Sequence, residues 1–371
     1  YQHEKTYSSV QGEGPAMGYR AGAQLTNAEF NSMYVWGVKK LGKELMGIHF
    51  YLHLENARGE RIMGKHYPEL MVGEHAVFTF DPRVIDAMYK EVKAGLGPIY
   101  LNLVGLSDAD IAALGDPVHE ELTHLMGNDT MYLVKEKAGI DPSKERLELW
   151  PRLLYTGGGL RIDTKCRTTV PGLWAAGGAC SNIWTCGGGS QGGLGVQSAA
   201  VTGFTAGEDA GAYAMDNPLP GTDPAYAERI VSRVTAPLRR SGDVDAYEIT
   251  YRVHEAIVPM EYNRIREAGR IREALGILEE ARERLQRVGV ADHHDLARYH
   301  SAESMLMAAE ATYRTALTRE ESRSQHFRED FPERDDENWF KWIAIEQQDG
   351  EAKLSTLPIP VDKYRLQPDR R

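Results

Sequence analysis

Glycine is the residue type whose spacing first points to chemistry in this chain. Residues 155–163 read Tyr-Thr-Gly-Gly-Gly-Leu-Arg-Ile-Asp, residues 170–178 read Val-Pro-Gly-Leu-Trp-Ala-Ala-Gly-Gly, and six of the nine residues from 187 to 195 are glycine. Leu173 to Ala176 predicts a short apolar strand ending at Gly177-Gly178, where the missing Cβ atoms let a ligand approach the backbone. The segment after the glycine run, with Ala199, Ala200, Gly203, Ala206 and Gly207, predicts a helix slim enough to lie against a sheet or a flat ring. Its N-terminus would carry about half a positive charge toward that ligand. Glycine count alone is also met by a plain turn joining a strand to a buried helix.

Other residues offer proton-transfer or charge chemistry. His49, Tyr51 and His53 alternate, which on the strand predicted over 49–54 puts them on one face. With Tyr34 and Trp36 they are either pocket residues, supplying a general acid and an orienting donor, or a half-exposed strand face. Trp184 and Cys186 precede the glycine run and fit either a cofactor edge or core packing. His254, Glu261 and Arg264 surround a helix start, where capping and surface pairing explain them. His293-His294 beside Asp292 point apart and read as an interhelical turn, not a metal site. The charged run from Arg319 to Arg334, with Arg323, His326 and Arg328, reads as a latch of paired charges.

These residues need elements to position them. Gly12-Glu-Gly-Pro15 predicts the start of a helix carrying Ala16, Met17, Tyr19, Ala21 and Ala23. Asn56-Ala-Arg-Gly59 predicts a turn with Gly59 at positive φ, followed by a return strand over Arg61-Ile-Met63. Pro82 opens a helix with Val84, Ile85, Met88 and Val92 on one side; Ile99–Leu103 reads as a strand, and 108–114 and 117–126 as helices. Residues 216–224 form a Pro/Gly-rich linker. Beyond it Ile271, Leu275, Leu278, Ala281, Leu285 and Val288, then Leu296, Tyr299, Ala302, Leu306, Ala309, Tyr313 and Leu317, recur at helical spacing and predict an antiparallel bundle. The last 45 or so residues read as mostly irregular.

Composition narrows the function classes. The 371 residues carry a formal net charge of −11, against a nucleic-acid footprint. No apolar run approaches the ~20 residues of a membrane helix, and no secretory pattern opens the chain. Three cysteines without a Cys-x-x-Cys pair fit a reducing, cytoplasmic setting and supply no cluster or zinc ligand set.

Thr-Gly-Gly-Gly, Val-Pro-Gly-Leu-Trp-Ala-Ala-Gly, a glycine loop and a small-residue helix, in that order, resemble the C-terminal FAD-binding segment of the fumarate reductase/succinate dehydrogenase flavoprotein family. Residues 321–341 resemble the motif after that family's last bundle helix, 12–23 its Gly-Asp-Gly helix entry, and 56–63 its capping-domain hairpin. The resemblance implies a class of α/β plus α: an incomplete Rossmann-like FAD-binding domain (1–46 and 150–215) split by an α+β capping domain (47–149), then a helical bundle (225–325) and an irregular tail (326–371). It implies FAD contacts at Thr156, Gly157, Gly158, Gly177, Gly178, Ser190, Leu194, Gly195 and Val196, with His49, Tyr51 and Tyr34 as catalytic candidates and no metal. It also implies a small-molecule substrate beneath the capping domain and a ferredoxin-like iron–sulfur partner subunit, as in the adenylylsulfate reductase branch.

The departures shape the expectation. No strand–Gly-x-Gly-x-x-Gly–helix unit precedes residue 12, so the other FAD half is expected on a missing N-terminal segment or another chain. The family's Phe-His-Pro-Thr region reads Asn31-Ser-Met-Tyr34, its Arg-Gly-Glu-Gly-Gly region Ile48-His-Phe-Tyr-Leu52, its second His Leu154, and its Asn-Arg pair Gly189-Ser190. Loss of these four groups argues against fumarate or succinate turnover. Gly178 replaces the acidic residue that reaches the FAD ribityl chain. A fumarate reductase/succinate dehydrogenase or L-aspartate oxidase-like enzyme and a non-catalytic scaffold that lost FAD are the alternatives.

Overall fold

The computed structural model describes residues 12–30, 33–41, 43–44, 50–72, 81–114, 130–155, 158–181, 194–218, 221, 223–348 and 350–363. They form two compact units: one around Met33–Tyr155, inserted into a larger one built from the segments on either side.

The larger unit begins with α1 (Glu13–Arg20), entered through Gly12 at φ +89°. Its glycine matters within the helix too. A Cβ at Gly18 would sit 2.5 Å from the Leu160 side chain, so only glycine lets the helix lie this close. Ala16 and Tyr19 are buried, Met17 is exposed, and the helix ends before Ala21 and Ala23. Strand β1 (Leu25–Thr26) follows, then Asn27 in the left-handed region (φ +59°) and a 3-10 turn over Ala28–Phe30.

The inserted unit is a five-stranded antiparallel sheet with short helices. Its order is β3 (Lys43–Glu44), β2 (Met33–Val38), β6 (Leu147–Tyr155), β5 (Ile99–Leu101), β4 (Leu54–Glu55). Residues 33–38 and 150–155 therefore pair with each other in this sheet, moving its edges outward from the predicted 47 and 149. The strand expected over 49–54 is corrected. Phe50–His53 is a 3-10 turn that buries Phe50 and Tyr51 together, and only Leu54–Glu55 is strand. The Asn56 turn forms as expected, with Gly59 at φ +80° and Asn56 Oδ1 accepting from the Arg58 and Glu60 amides. The return strand does not: Arg61 makes one bridge to Glu55, and Ile62–His66 coils into α2, burying Ile62 and Met63. Helix α3 (Pro82–Lys93) starts at an Asp81 cap and buries Val84, Ile85 and Met88. Val92 faces out, and Glu91 takes the buried place beside it. Helix α4 (Asp108–Ala113) opens with a Ser107–Asp110 capping box, and α5 spans Thr130–Glu136. The helix expected over 117–126 lies outside the described residues.

Returning to the larger unit, β7 (Gly159–Leu160) pairs with β1. Then come α6 (Leu194–Asp216), α7 (Pro224–Thr235), α8 (Ala246–Ile257), α9 (Met260–Asn263), β8 (Ile265–Arg266), α10 (Ala268–Leu285) and α11 (His293–Thr318). Helices α8, α10 and α11 enclose a core that includes Ile249, Val253, Ile271, Leu278, Leu306 and Tyr313, as the periodicity predicts. The Tyr313 hydroxyl donates to the Ala256 carbonyl at 2.5 Å. The tail departs most from expectation. After β9 (Phe327–Arg328), paired in parallel with β8, and α12 (Asp336–Trp339), strands β10 (Lys341–Gln348) and β11 (Glu351–Pro358) form a full hairpin. β10 also pairs with β1, giving an antiparallel sheet of order β11-β10-β1-β7. The apolar run Trp342–Ile345, the alternation of Glu351 to Ser355 and the Asp349-Gly350 dipeptide between them carry the hairpin signal; Gly350 takes φ +85°. Among the described residues no helix is long and apolar enough to cross a membrane.

Candidate functional site

The glycine positions of the larger unit converge on Asn27. A Cβ at Gly158 (φ +77°) would lie 2.6 Å from the Asn27 carbonyl oxygen, and one at Gly159 would lie 2.8 Å from the Ala179 carbonyl oxygen. The Asn27 side-chain amide donates to the Ser181 hydroxyl at 2.8 Å. Three segments distant in sequence thus meet through backbone contact, which explains Gly158 and Gly159 without a ligand.

Gly177 and Gly178 differ from them. The predicted strand over Leu173–Ala176 is absent; Trp174 makes one bridge to Arg167, and Gly177–Ala179 is a 3-10 turn. Gly177, at φ +57°, donates its amide to Thr202 Oγ1 of α6 at 2.9 Å and approaches Ala199. A Cβ on Gly178 would meet nothing within 4 Å, and the same holds for Gly195, Gly203, Gly207 and Gly211. On α6, residues 195, 199, 203, 207 and 211 form one small-residue ridge four apart. Val196, Phe204 and Met215 are 80%, 73% and 87% exposed. This open apolar surface beside a bare glycine turn fits a flat aromatic cofactor, as FAD is. Gly178, Gly195 and Val196 are the described residues that would line it, whereas Gly177 is buried against α6.

The hairpin leading to the turn is pinned to α6 by one carboxylate. Asp209 accepts from Arg167 and, at 3.0 Å, from the Trp174 indole. Arg167 first, then Trp174 and Lys165, hold the Asp209 carboxyl down to about 2. Burial raises the Cys180 thiol to about 11 and raises Cys166 as well, so neither is a ready nucleophile.

A buried polar cluster lies behind Asn27. Arg319, fully buried, donates to Glu29 Oε1 at 2.8 and 3.0 Å, to Glu321 at 2.9 Å, and to the Trp339 and Lys341 carbonyls. Arg323 bridges Glu321 and Asp336, and Arg328 bonds Asp330 and the Ala316 and Arg319 carbonyls. His326 is held neutral: burial, then Arg266, Arg319 and Arg328, push it well below the ordinary range. Its Nδ1 accepts from Arg266 at 2.7 Å, which assigns the proton to Nε2, 3.3 Å from the Arg319 carbonyl. The latch of paired charges read from the sequence is present. Arg264 belongs to it as well, buried and donating to the Gln325 carbonyl at 3.0 Å, which corrects its reading as a surface residue. Glu29 and Arg266 went unread, since each looks like a lone charge in a short segment; only the presence of both signs at distant positions hinted at pairing.

The remaining candidates separate. Thr156, Gly157, Ser190, His49, Trp184 and Cys186 lie outside the described residues, and of Leu194 only the backbone, opening α6, is described. Tyr34 stands in β2 opposite Leu153, again as backbone. Tyr51 is buried in the inserted unit, its hydroxyl donating to the Leu70 carbonyl at 3.2 Å and pushed up chiefly by burial. His53, lowered by burial, is on the same 3-10 turn, so the shared strand face proposed for them does not form. Trp36 is buried. His254 is lowered by burial. His293 and His294 open α11 beside the Asp292 cap, and among the described residues no group of side chains could hold a metal.

Comparison with known proteins agrees with this geometry. An FAD binding domain model matches residues 5–193, and a fumarate reductase flavoprotein C-terminal model matches residues 256–371. An uncharacterized FAD-dependent oxidoreductase of Methanocaldococcus jannaschii is 28% identical over 88% of this chain and 57% of its own length. The fumarate reductase flavoprotein subunit of Haemophilus influenzae is 26% identical over 98% of this chain and 62% of its own. The chain thus spans about three fifths of the length of the curated relatives it matches. In fold it is similar to FrdA of E. coli quinol fumarate reductase (TM-score 0.77, 24% identity, 97% of this chain and 63% of that one). It is also similar to adenylylsulfate reductase from Archaeoglobus fulgidus (TM-score 0.70, 20% identity, 95% and 62%). Two matched models in the order of the motifs, over a glycine turn open to a flat cofactor, place this chain in the fumarate reductase/succinate dehydrogenase flavoprotein family, whose cofactor is FAD.

Proposed function

We propose that this chain is the flavin-bearing part of an FAD-dependent oxidoreductase subunit, exchanging a two-electron equivalent with a small-molecule substrate and passing electrons singly to or from an iron–sulfur partner. The observation that carries this reading is the open turn at Gly177-Gly178 beside the start of α6, within the region matched by the FAD binding domain. Bound there, the flavin would supply the redox chemistry. Gly178 admits the ring, Gly177 seats the turn on α6, and the α6 N-terminus favours negative charge near Gly195. The exposed α6 ridge suits the strand–Gly-x-Gly-x-x-Gly–helix half of the FAD fold, on the same or another polypeptide. The iron–sulfur partner rests on the family resemblance, and the three cysteines of this sequence, with no Cys-x-x-Cys pair, are consistent with cluster ligands on another chain.

Of the proton-transfer candidates, His49 and Tyr34 carry the proposal forward, because the Tyr51 hydroxyl is engaged with Leu70 inside the inserted unit. The family's dicarboxylate-clamping Arg and His positions hold other residues here, so we assign a substrate other than fumarate or succinate. The test is a visible absorption spectrum of the protein from its native source, with intact mass and N-terminal sequence of every chain. Flavin bands near roughly 450 nm are expected, together with an iron–sulfur chain in the preparation. A colourless protein that takes up no added FAD would overturn the enzyme reading and leave a scaffold.

A further inference from the structure

Helix α7 is weakly founded. It buries none of its twelve residues, and Tyr226, Ile230, Val231 and Val234 on its apolar side are exposed. Its last turn is held by one histidine of the bundle. His300 of α11 places Nε2 2.9 Å from the Val234 carbonyl oxygen and Nδ1 3.2 Å from Glu303 Oε2.

Both partners are pure acceptors, whereas a neutral imidazole has a single N–H. The arrangement is fully satisfied only by the imidazolium. We propose that His300 is a proton-operated clasp, which holds α7 on the bundle while protonated and releases it when the proton is lost. The Val234 carbonyl is among the last four of α7, which have no partner within the helix, and a cation there also meets the negative end of the helix dipole. On deprotonation the ring keeps one donor; the charged Glu303 carboxylate, the stronger acceptor, holds it on Nδ1, so a bare Nε2 faces the Val234 carbonyl and the contact with α7 is lost.

The charges around the clasp are mixed. Glu303 lies one turn along on the same helix, Arg20 of α1 reaches the same Glu303 oxygen at 3.8 Å, and Arg233 of α7 also acts on Glu303. Arg240, from the turn after α7, sits over the neighbouring Tyr299 ring at 5.9 Å. The balance favours the cation: the Glu303 hydrogen bond raises His300 above its ordinary 6.5, burial opposes, and Arg20 subtracts least. Because the folded value is raised, the hold on α7 is complete below 6.5 and is lost as pH rises through the folded value. This inference is independent of the flavin and applies to the chain with or without it.

Hydrogen exchange read by mass spectrometry, on the protein as isolated and corrected for intrinsic rates, tests it between about pH 5.5 and about 8.5. The expected result is a roughly tenfold loss of protection in peptides of α7 as pH rises, with α10 unchanged. His300→Gln should leave α7 at its low, pH-independent protection, and Glu303→Gln should move the transition to lower pH. The His300 ring proton resonance, followed by NMR, should titrate with the same midpoint. Protection of α7 that is flat with pH, or that falls equally in His300→Gln, would overturn the clasp.

Discussion

Arg319 shows how the larger unit spends its charged residues. Its guanidinium is fully buried, with Glu29 and Glu321 on its nitrogens and the Phe30 ring 5.1 Å beneath it. A paired buried charge is weak evidence of net stability, but a broken pair leaves its partner stranded. Arg319→Met should therefore destabilise the larger unit by about 3–5 kcal/mol, because Glu29 stays buried without its cation while Glu321 keeps only the Arg323 cation. Urea unfolding followed by tryptophan fluorescence measures this, and a loss below about 1 kcal/mol would contradict the pairing. Arg319→Glu29 contact also explains why the motif at 321–341 is legible as a latch while Glu29 is not: only folding brings residues 290 apart in sequence together. The thiols give a second test at this scale. Burial raises Cys180 to about 11 and also raises Cys166, so both should resist iodoacetamide near pH 8 in the native protein and react once it is unfolded.

Two glycines at the scale of elements separate folding from cofactor binding. Gly158 has φ +77° and a backbone neighbour where a Cβ would go, whereas Gly178 has open space. Gly158→Ala should cost roughly 1–3 kcal/mol of stability through strain and steric conflict. Gly178→Leu should leave unfolding nearly unchanged while weakening FAD uptake at least tenfold, measured by flavin fluorescence quenching. Unchanged uptake in Gly178→Leu would remove the turn from the cofactor site. Element type was legible where one period dominates, as in α3, α10 and α11. It failed at 49–54, 61–63 and 173–176, where short apolar runs suit either period. The tail was misread because its prolines drew attention from the Asp349-Gly350 turn signal between an apolar run and an alternating one.

The two units of the whole molecule should answer acid differently. In the inserted unit Glu91 is almost fully buried. Burial raises its carboxyl, but hydrogen bonds from Asn56, Lys65 and His66 at 2.7, 2.8 and 2.5 Å prevail and lower it from 4.5 to about 2. The folded value is depressed, so its contribution, on the order of 3 kcal/mol, is present above 4.5 and lost as pH falls toward about 2. Glu91→Gln should flatten that acid limb, read as melting temperature against pH for the inserted unit; an unaltered limb would assign acid sensitivity to other carboxylates. The net charge of −11 serves solubility and does not choose a fold.

By itself, the sequence determined the family, the cofactor and the bundle, because ordered motifs and a 3.6-residue period are local properties that survive in one dimension. It also marked Gly59, where backbone geometry admits few residue types. Tertiary structure decided which glycines serve the backbone and which leave room for a ligand. Gly158 and Gly178 look alike in a string, and only the presence of Asn27 beside one and open space beside the other tells them apart. It likewise decided the charges. A buried ion pair is a property of two distant residues and the shared loss of water around them, which neither residue's neighbours in sequence can reveal.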